Sequence, residues 1–362
     1  MNNRVMDKRS GILNSGNTCF MNTALQCLAN VGDLTNYIYS DNYMADLNRG
    51  CKESSVTFEY SKLLTDIMKG EGYVNAGDFI RIFCRVNRDL EIAHKMMMRQ
   101  QCDTYDFMIK LIDIIHVSLQ EEVDIEIKGT PKNDYERLKV KSIKSWIKSI
   151  KNEYSEMIDL FFGQYINETH SVGSESKLLA RTFDKFNSLS LEIYNSEDGF
   201  VASSLYDCLD YHCKVHEMSG DNQYEIGNTK EYVDANRRMS FWKLPKYLIV
   251  CLKRFGFSGH GRKINTCIDF PIDDLDLNKY IYHGDMKVKG KESSKYSLIA
   301  VANHIGGSLD SGHYYAMNRI VGTDKWVLYN DETVREISYH TPEQLKQRIV
   351  SKNAYVLIYA RI

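Results

Sequence analysis

A chain of 362 residues, 43% hydrophobic and 26% charged, is long enough to bury a large core as one elaborated domain or two. Its 46 Lys and Arg against 48 Asp and Glu leave a formal net charge of −2, which removes any global attraction to nucleic acid or an anionic membrane; no apolar run approaches the ~18 residues a membrane span needs. Nine cysteines at irregular spacings, without a signal-peptide pattern, are expected as reduced thiols in an intracellular compartment.

Met1 to Ser10 reads as a polar lead-in with no targeting pattern. From Gly11 to Asn30 a loop passes into a helix. Gly11, Asn14, Ser15, Gly16 and Asn17 are turn formers, Thr18 is placed as the N-cap, and Phe20, Ala24, Leu25 and Leu28 recur at helical spacing. Cys19 is thereby the first helical residue. Unpaired N–H groups and the positive end of the helix dipole favour a thiolate there, the form that attacks carbonyls. The plain alternative is a small buried core residue, which is the reading kept for Cys27.

Helical patterns follow over Val56 to Lys69, Ala76 to Arg85 and Thr104 to Leu119, the last with a broad apolar stripe from Phe107 to Leu119. Asp103 and Asp106 stand at its start, where capping and favourable charge alone would justify them. Glu121 to Glu126 is acidic. Lys128 to Lys151 carries seven Lys and Arg137 against Asp134 and Glu136, a block of +6 that reads as a solvated helix with Trp146, Ile147 and Ile150 packing on one side. Cys208, His212, Cys213 and His216 form a Cys/His cluster. With 208, 212 and 216 on one helix face, the ligands lie too far apart along the axis to close a tetrahedron, so a packed helix face is expected.

Lys243 to Cys251 reads as a buried strand, and Gly256 to Arg262 as a glycine-rich loop. Tyr296 to His304 is a strand, Ile305 to Gly312 a loop with three glycines, and His313 opens the next strand. Trp326-Val-Leu-Tyr then leads to Asn330-Asp331. A hairpin of these two strands brings Asn330 or Asp331 beside His313. A nucleophilic Cys needs such a base from elsewhere in the chain and a third group to fix the imidazole.

The Cys box Gly11-Ile-Leu-Asn-Ser-Gly-Asn-Thr-Cys19-Phe-Met-Asn, the acid box Gln101-Cys-Asp103-Thr-Tyr-Asp106-Phe, and Leu244-Pro-Lys-Tyr-Leu-Ile-Val-Cys-Leu-Lys-Arg-Phe255 come in that order. The His box follows, His304-Ile-Gly306 with Gly312-His313-Tyr314, then Trp326 to Asp331 and a closing Asn353-Ala-Tyr-Val-Leu-Ile-Tyr. Together they resemble the ubiquitin-specific proteases, a papain-like family of deubiquitinases, over almost the whole chain. The resemblance implies an α+β cysteine protease with a helical thumb (11–125) and antiparallel β fingers (158–242) and palm (243–362); residues 126–157 are taken as a basic helical insertion. It implies ubiquitin and ubiquitinated proteins as partners, with Cys19 as nucleophile, His313 as base and then acid, and Asn330 as orienter.

Asn330 departs from the Asp more usual there, and Asp331 is expected to share its work. Asn14 and the Cys19 N–H are the implied oxyanion donors. Asp103 and Asp106 would receive the arginines of ubiquitin's tail, and His304, Gly312 and Tyr314 would line the channel, flanked by Gly256 to Asn265 and Ile305 to Gly312. Ser171, Ser174, Ile226 and Thr229 stand where many members bind zinc through cysteines, so no metal and no cofactor are expected. Two rival readings are a ubiquitin-binding protein without turnover and a cysteine protease for a ubiquitin-like modifier or an unrelated substrate. The intact Cys19, His313 and Asn14 argue against the first, Asp103 and Asp106 against an unrelated substrate.

Overall fold

The apolar spacing after Gly16-Asn17 folds as helix α1 (Cys19–Leu28), and all ten of its residues are buried. A helix surrounded by protein on every side is a central element. The computed structural model describes residues 9–173, 176–227, 229–255, 263–283, 293–309 and 311–362. The expectations for Met1 to Lys8, for Ser174 and for the Gly256–Arg262 loop fall outside these.

Helices α2 (Ser54–Met68), α3 (Gly77–Val86), α4 (Glu91–Met97) and α5 (Thr104–Leu119) pack with α1 into one core, where Phe20, Phe79, Phe83 and Phe107 meet at ring distances of 5.2–6.5 Å. The Thr104–Leu119 pattern matches its helix to the residue.

The +6 block forms α6 (Asp134–Ile150), and it is more than an appendage. Leu138, Ser142 and Ile150 are buried, Ser142 Oγ donates to Gln164 Oε1 at 3.1 Å, and Ser145 Oγ donates to the Phe183 carbonyl at 3.2 Å. These partners belong to an antiparallel sheet of β1 (Gly163–Ser171), β2 (Leu178–Phe186), β4 (His216–Met218) and β5 (Ala235–Lys243), in the order β2-β1-β5-β4. Between β2 and β4 the chain adds β3 (Leu189–Leu191) to a second, larger sheet.

That sheet is completed by β6 (Tyr247–Leu252), β7 (Lys295–Ser308), β8 (Ser311–Arg319), β9 (Trp326–Asn330), β10 (Thr333–Glu336) and β11 (Ala354–Arg361). Their order is β10-β9-β8-β7-β11-β6-β3, with Leu275–Asp276 as an eighth strand beside β7. Neighbours are antiparallel except β6 and β3. All six residues of β6 are buried, as a strand covered on both faces requires. The architecture is α+β.

The Cys/His cluster is not one helix face. Its helix, Leu205–His212, ends before Cys213, and His216 lies on β4. Cys208 is buried and His212 Nε2 bonds the Tyr165 hydroxyl at 3.1 Å. No group suited to a metal occurs among the described residues, and none of their helices is long and apolar enough to cross a membrane. All nine cysteines are free thiols. At the positions equivalent to zinc ligands, Ser171 ends β1, and the Thr229 hydroxyl donates to the Ile226 carbonyl at 2.6 Å. Chelator should therefore leave the melting temperature unchanged, and the purified protein should carry well under one equivalent of zinc. Zinc lost together with stability would contradict this.

Candidate active site

The loop ahead of α1 rests on the turn after β9. Gly11 passes so close that a Cβ on it would stand 2.5 Å from the Glu332 carbonyl oxygen. The Ile12 N–H donates to the Asp331 carbonyl at 2.9 Å, and the Asn14 N–H to Glu332 Oε1 at 2.8 Å across 318 positions of sequence. These bonds set the nucleophile loop beside the β8–β9 hairpin.

Asn14 is locked from both ends. Its Oδ1 accepts from the Gly16 N–H (3.1 Å), the Thr18 N–H (3.2 Å) and the Thr18 hydroxyl (3.3 Å), and its Nδ2 donates to Asp331 Oδ2 at 2.9 Å. An amide nitrogen has two hydrogens, so one remains for a ligand. Thr18 holds the N-cap position, but its hydroxyl accepts from the Ser15 N–H and donates to Asn14, and no side chain caps α1. The first-turn N–H groups thus stay open beside Cys19, where the positive end of the helix dipole collects.

His313 is the third residue of β8, so it lies within the strand where the sequence reading placed it at the start. Its Nε2 donates to Asn330 Oδ1 at 2.5 Å, which leaves Nδ1 for the Cys19 sulfur. The bond with that sulfur, helped by Asn330 and by the charge of Asp331, outweighs desolvation and raises the imidazole to about 9.

Asp331 has turned away. At φ 50° its carboxylate lies 3.9 Å from His313 Nε2, beyond hydrogen-bond range, and accepts instead from Asn14 and from Asn22 Nδ2 at 2.8 Å. Asn330 and Asp331 therefore serve different partners.

His304, Gly312 and Tyr314 stand together beside the base. A Cβ on Gly312 would lie 2.3 Å from His304 Nε2, and the His304 ring is centred 4.5 Å from Tyr314 and 5.2 Å from Phe255. Burial and the neighbouring Lys263 and His313 charges hold His304 down at about 4, so it is neutral at physiological pH. The Lys263 ammonium donates to the His304 carbonyl. Both ring nitrogens of His304 and the Tyr314 hydroxyl are buried without a hydrogen-bond partner among the described residues.

The two acids of the acid box have parted roles. Asp103 is buried; its Oδ1 caps α5 by accepting from the Tyr105 N–H at 2.6 Å, and its Oδ2 accepts from the Tyr355 hydroxyl at 2.5 Å. Burial pushes it up to about 6. Asp106 is exposed and has no side-chain hydrogen bond among the described residues, although partial burial raises it too. Gln101 reaches across the cleft, its Nε2 donating to the Gly312 carbonyl at 2.5 Å while its Oε1 is buried and has no partner among the described residues.

Asn22, Gln101 and Tyr355 stand inside the sequence motifs and Lys263 inside the Gly256–Asn265 segment, none of them with a role legible there, and Glu332 shows itself only through its contact across the fold.

Residues 10–359 match the family model described as ubiquitin carboxyl-terminal hydrolase. Human ubiquitin carboxyl-terminal hydrolase 2 is 29% identical over 364 residues, covering 99% of this chain and 56% of that protein. Human ubiquitin carboxyl-terminal hydrolase 3 is 29% identical over 378 residues, covering 97% of this chain and 67% of that protein. The chain thus spans about half the length of the first of these relatives. Among solved structures, the SAGA DUB module of Ubp8, Sgf11, Sus1 and Sgf73 bound to monoubiquitin superposes with a TM-score of 0.70 at 23% identity. It covers 100% of this chain and 71% of that one, and at this identity it shows a shared fold. The match along nearly the full length, with a mixed fold of the same kind, means that the chain belongs to the ubiquitin carboxyl-terminal hydrolase family.

Proposed function

We propose that this chain is a thiol-dependent deubiquitinase that hydrolyses the peptide or isopeptide bond after the C-terminal glycine of ubiquitin. The observation that carries the reading is the set of buried, unpartnered polar atoms on His304, Tyr314 and Gln101 around Gly312, one residue from the base. Buried polar groups without partners are rare, and backbone groups of an extended tail would complete them. A passage walled by Gly312 and a neutral imidazole suits two glycines and excludes larger residues. Similar solved structures hold monoubiquitin or ubiquitin aldehyde, which supports the same ligand.

In this reading the Cys19 thiolate attacks the glycine carbonyl. Asn14 and the Cys19 N–H receive the oxyanion, with Asp331 and Asn22 fixing Asn14 so that little reorganisation is needed. His313 protonates the departing amine and then activates the water that hydrolyses the thioester. Asp106 receives an arginine of the tail, and Asp103 braces α5 behind it through Tyr355. We assign 11–125 to a thumb, 126–242 to fingers with the basic helix against them, and 243–362 to a palm. Nine free thiols suit a reducing, intracellular compartment.

Hydrolysis of a ubiquitin–fluorophore conjugate tests this directly. Because His313 is raised to about 9, it keeps its proton below that pH and loses it above, so kcat/KM should decline on the alkaline side near pH 9. Asn330→Ala removes one of the raising contacts. It should move the alkaline limb to lower pH and reduce kcat by about a hundredfold. Asn330→Asp should maintain or raise kcat and move the limb upward, since a carboxylate adds charge stabilisation. A limb displaced more by Asp331→Ala than by Asn330→Ala would assign the orienting role to Asp331.

A further inference from the structure

The Gln101–Gly312 hydrogen bond lies at the edge of an open cleft of about 680 Å³, which Gln101 and Gly312 line together with Asn17, Lys95, Arg99, Gln100 and Ser311. His304 and Tyr314 stand against Gly312 as described above. Asn17 lies two residues before Cys19 and Ser311 two before His313, so the cleft begins within two residues of both catalytic groups.

Its walls are strained and fixed. Asn17 and Arg99 both occupy the left-handed backbone region, at φ 55° and 53°, and they are bonded to each other: Asn17 Nδ2 donates to the Arg99 carbonyl at 2.8 Å. Left-handed non-glycine residues cost energy and persist where the surroundings hold them, often at functional sites. The Arg99 stem covers Gly16, whose Cβ, if it had one, would sit 3.4 Å from Arg99 Cδ. Arg99 is exposed, and its guanidinium makes no ion pair with the described residues, whereas Lys95 on the same rim pairs with Glu91 at 2.8 Å. No carboxylate lines the cleft among the described residues. What remains is an exposed guanidinium carried on a stem that lies over Gly16, a group that pairs well with carboxylates.

We propose that this cleft is the leaving-group subsite and that it takes conjugated polypeptides carrying an acidic residue beside the modified lysine; the inference rests on the deubiquitinase reading. The scissile nitrogen is separated from its own backbone by four methylenes, about 6 Å, so residues flanking that lysine fall within the width of such a cleft. In the deubiquitinase reading the ubiquitin tail runs past His304, Tyr314 and Gly312 in every conjugate. The cleft beside Arg99 is where conjugates differ.

The test uses ubiquitin joined through an isopeptide bond to short peptides whose lysine is flanked by Glu, by Ser or by Lys, together with ubiquitin–fluorophore. The wild-type protein should cleave the Glu-flanked conjugate with a kcat/KM about fivefold above the Lys-flanked one at low ionic strength, mainly through KM, as one partly screened ion pair allows. The preference should shrink towards unity at about 0.5 M salt. Arg99→Glu should reverse it and Arg99→Lys should keep it. Cleavage of ubiquitin–fluorophore with equal rates on the three peptides, or a preference that survives Arg99→Glu, would overturn the inference alone. No cleavage of ubiquitin–fluorophore by the folded protein would overturn the deubiquitinase reading and this inference with it.

Discussion

Cys19→Ala is expected to lower hydrolysis of ubiquitin–fluorophore by on the order of a millionfold, as loss of the nucleophile does in enzymes whose catalytic groups act as a unit. Its fold should survive. The bonds that seat the nucleophile loop, from Ile12, Asn14 and Asn22, do not involve its sulfur. The melting temperature should stay within a few degrees, and ubiquitin should still bind. Cys27, two turns along the same helix, supplies the contrast. It is fully buried, and its burial pushes the thiol up to about 12, so it is a core atom without nucleophilic use. Cys27→Ala should lose stability through the cavity it leaves, with turnover per folded molecule unchanged. Near-normal turnover in Cys19→Ala would refute the mechanism.

Gly312→Ala is expected to reduce kcat/KM by about a hundredfold or more while lowering the melting temperature little. The added Cβ would stand 2.3 Å from His304 Nε2 and 2.5 Å from the Ile305 carbonyl oxygen, and the second of these is backbone that cannot swing aside. The strand must shift at the residue next to His313, and displacements near 1 Å at a reacting group cost about that much in rate. The same Cβ would intrude on the passage for the tail, so KM should rise as kcat falls. Melting should be spared because Gly312 sits at the loop end of β8, where β7 and β8 already lose register between Ile305 and Ser308. A variant with wild-type kcat/KM would show that the tail does not pass Gly312.

Much of this site is legible in the sequence because its parts are local. Turn formers followed by apolar residues at helical spacing put Cys19 at the first position of α1, and the α5 stripe marks Thr104–Leu119 to the residue. The β8–β9 hairpin follows from two apolar strands, and it brings Asn330 to His313 by pairing alone. What stays hidden depends on distant partners or on one backbone angle. Nothing near Asp331 in sequence reveals that φ 50° turns its carboxylate to Asn14 and Asn22. Asp103 reads as a cap, and it is one, but the Tyr355 hydroxyl that takes its other oxygen comes from 252 residues away. His216 reads as part of the helix before it because period counting does not see that the helix stops at His212 and β4 begins four residues later. The basic block shows the opposite case. Its charge pattern reads as a solvated helix packing on one side, and Ile150 is buried in keeping with that; the bonds of Ser142 and Ser145 to Gln164 of β1 and the Phe183 carbonyl of β2 are what the lysines between them obscure.

The most direct measurement is to incubate the protein with ubiquitin bearing a C-terminal electrophile and map the adduct by mass spectrometry. The nine free thiols make it discriminating, because Cys267 is exposed and would take any non-specific alkylation, whereas Cys19 is buried. One ubiquitin attached at Cys19, blocked by excess free ubiquitin and much slower in His313→Ala, is the predicted result. A folded protein that forms no adduct, or forms it at Cys267 or another thiol, would contradict the assignment of Cys19 as the nucleophile of a deubiquitinase.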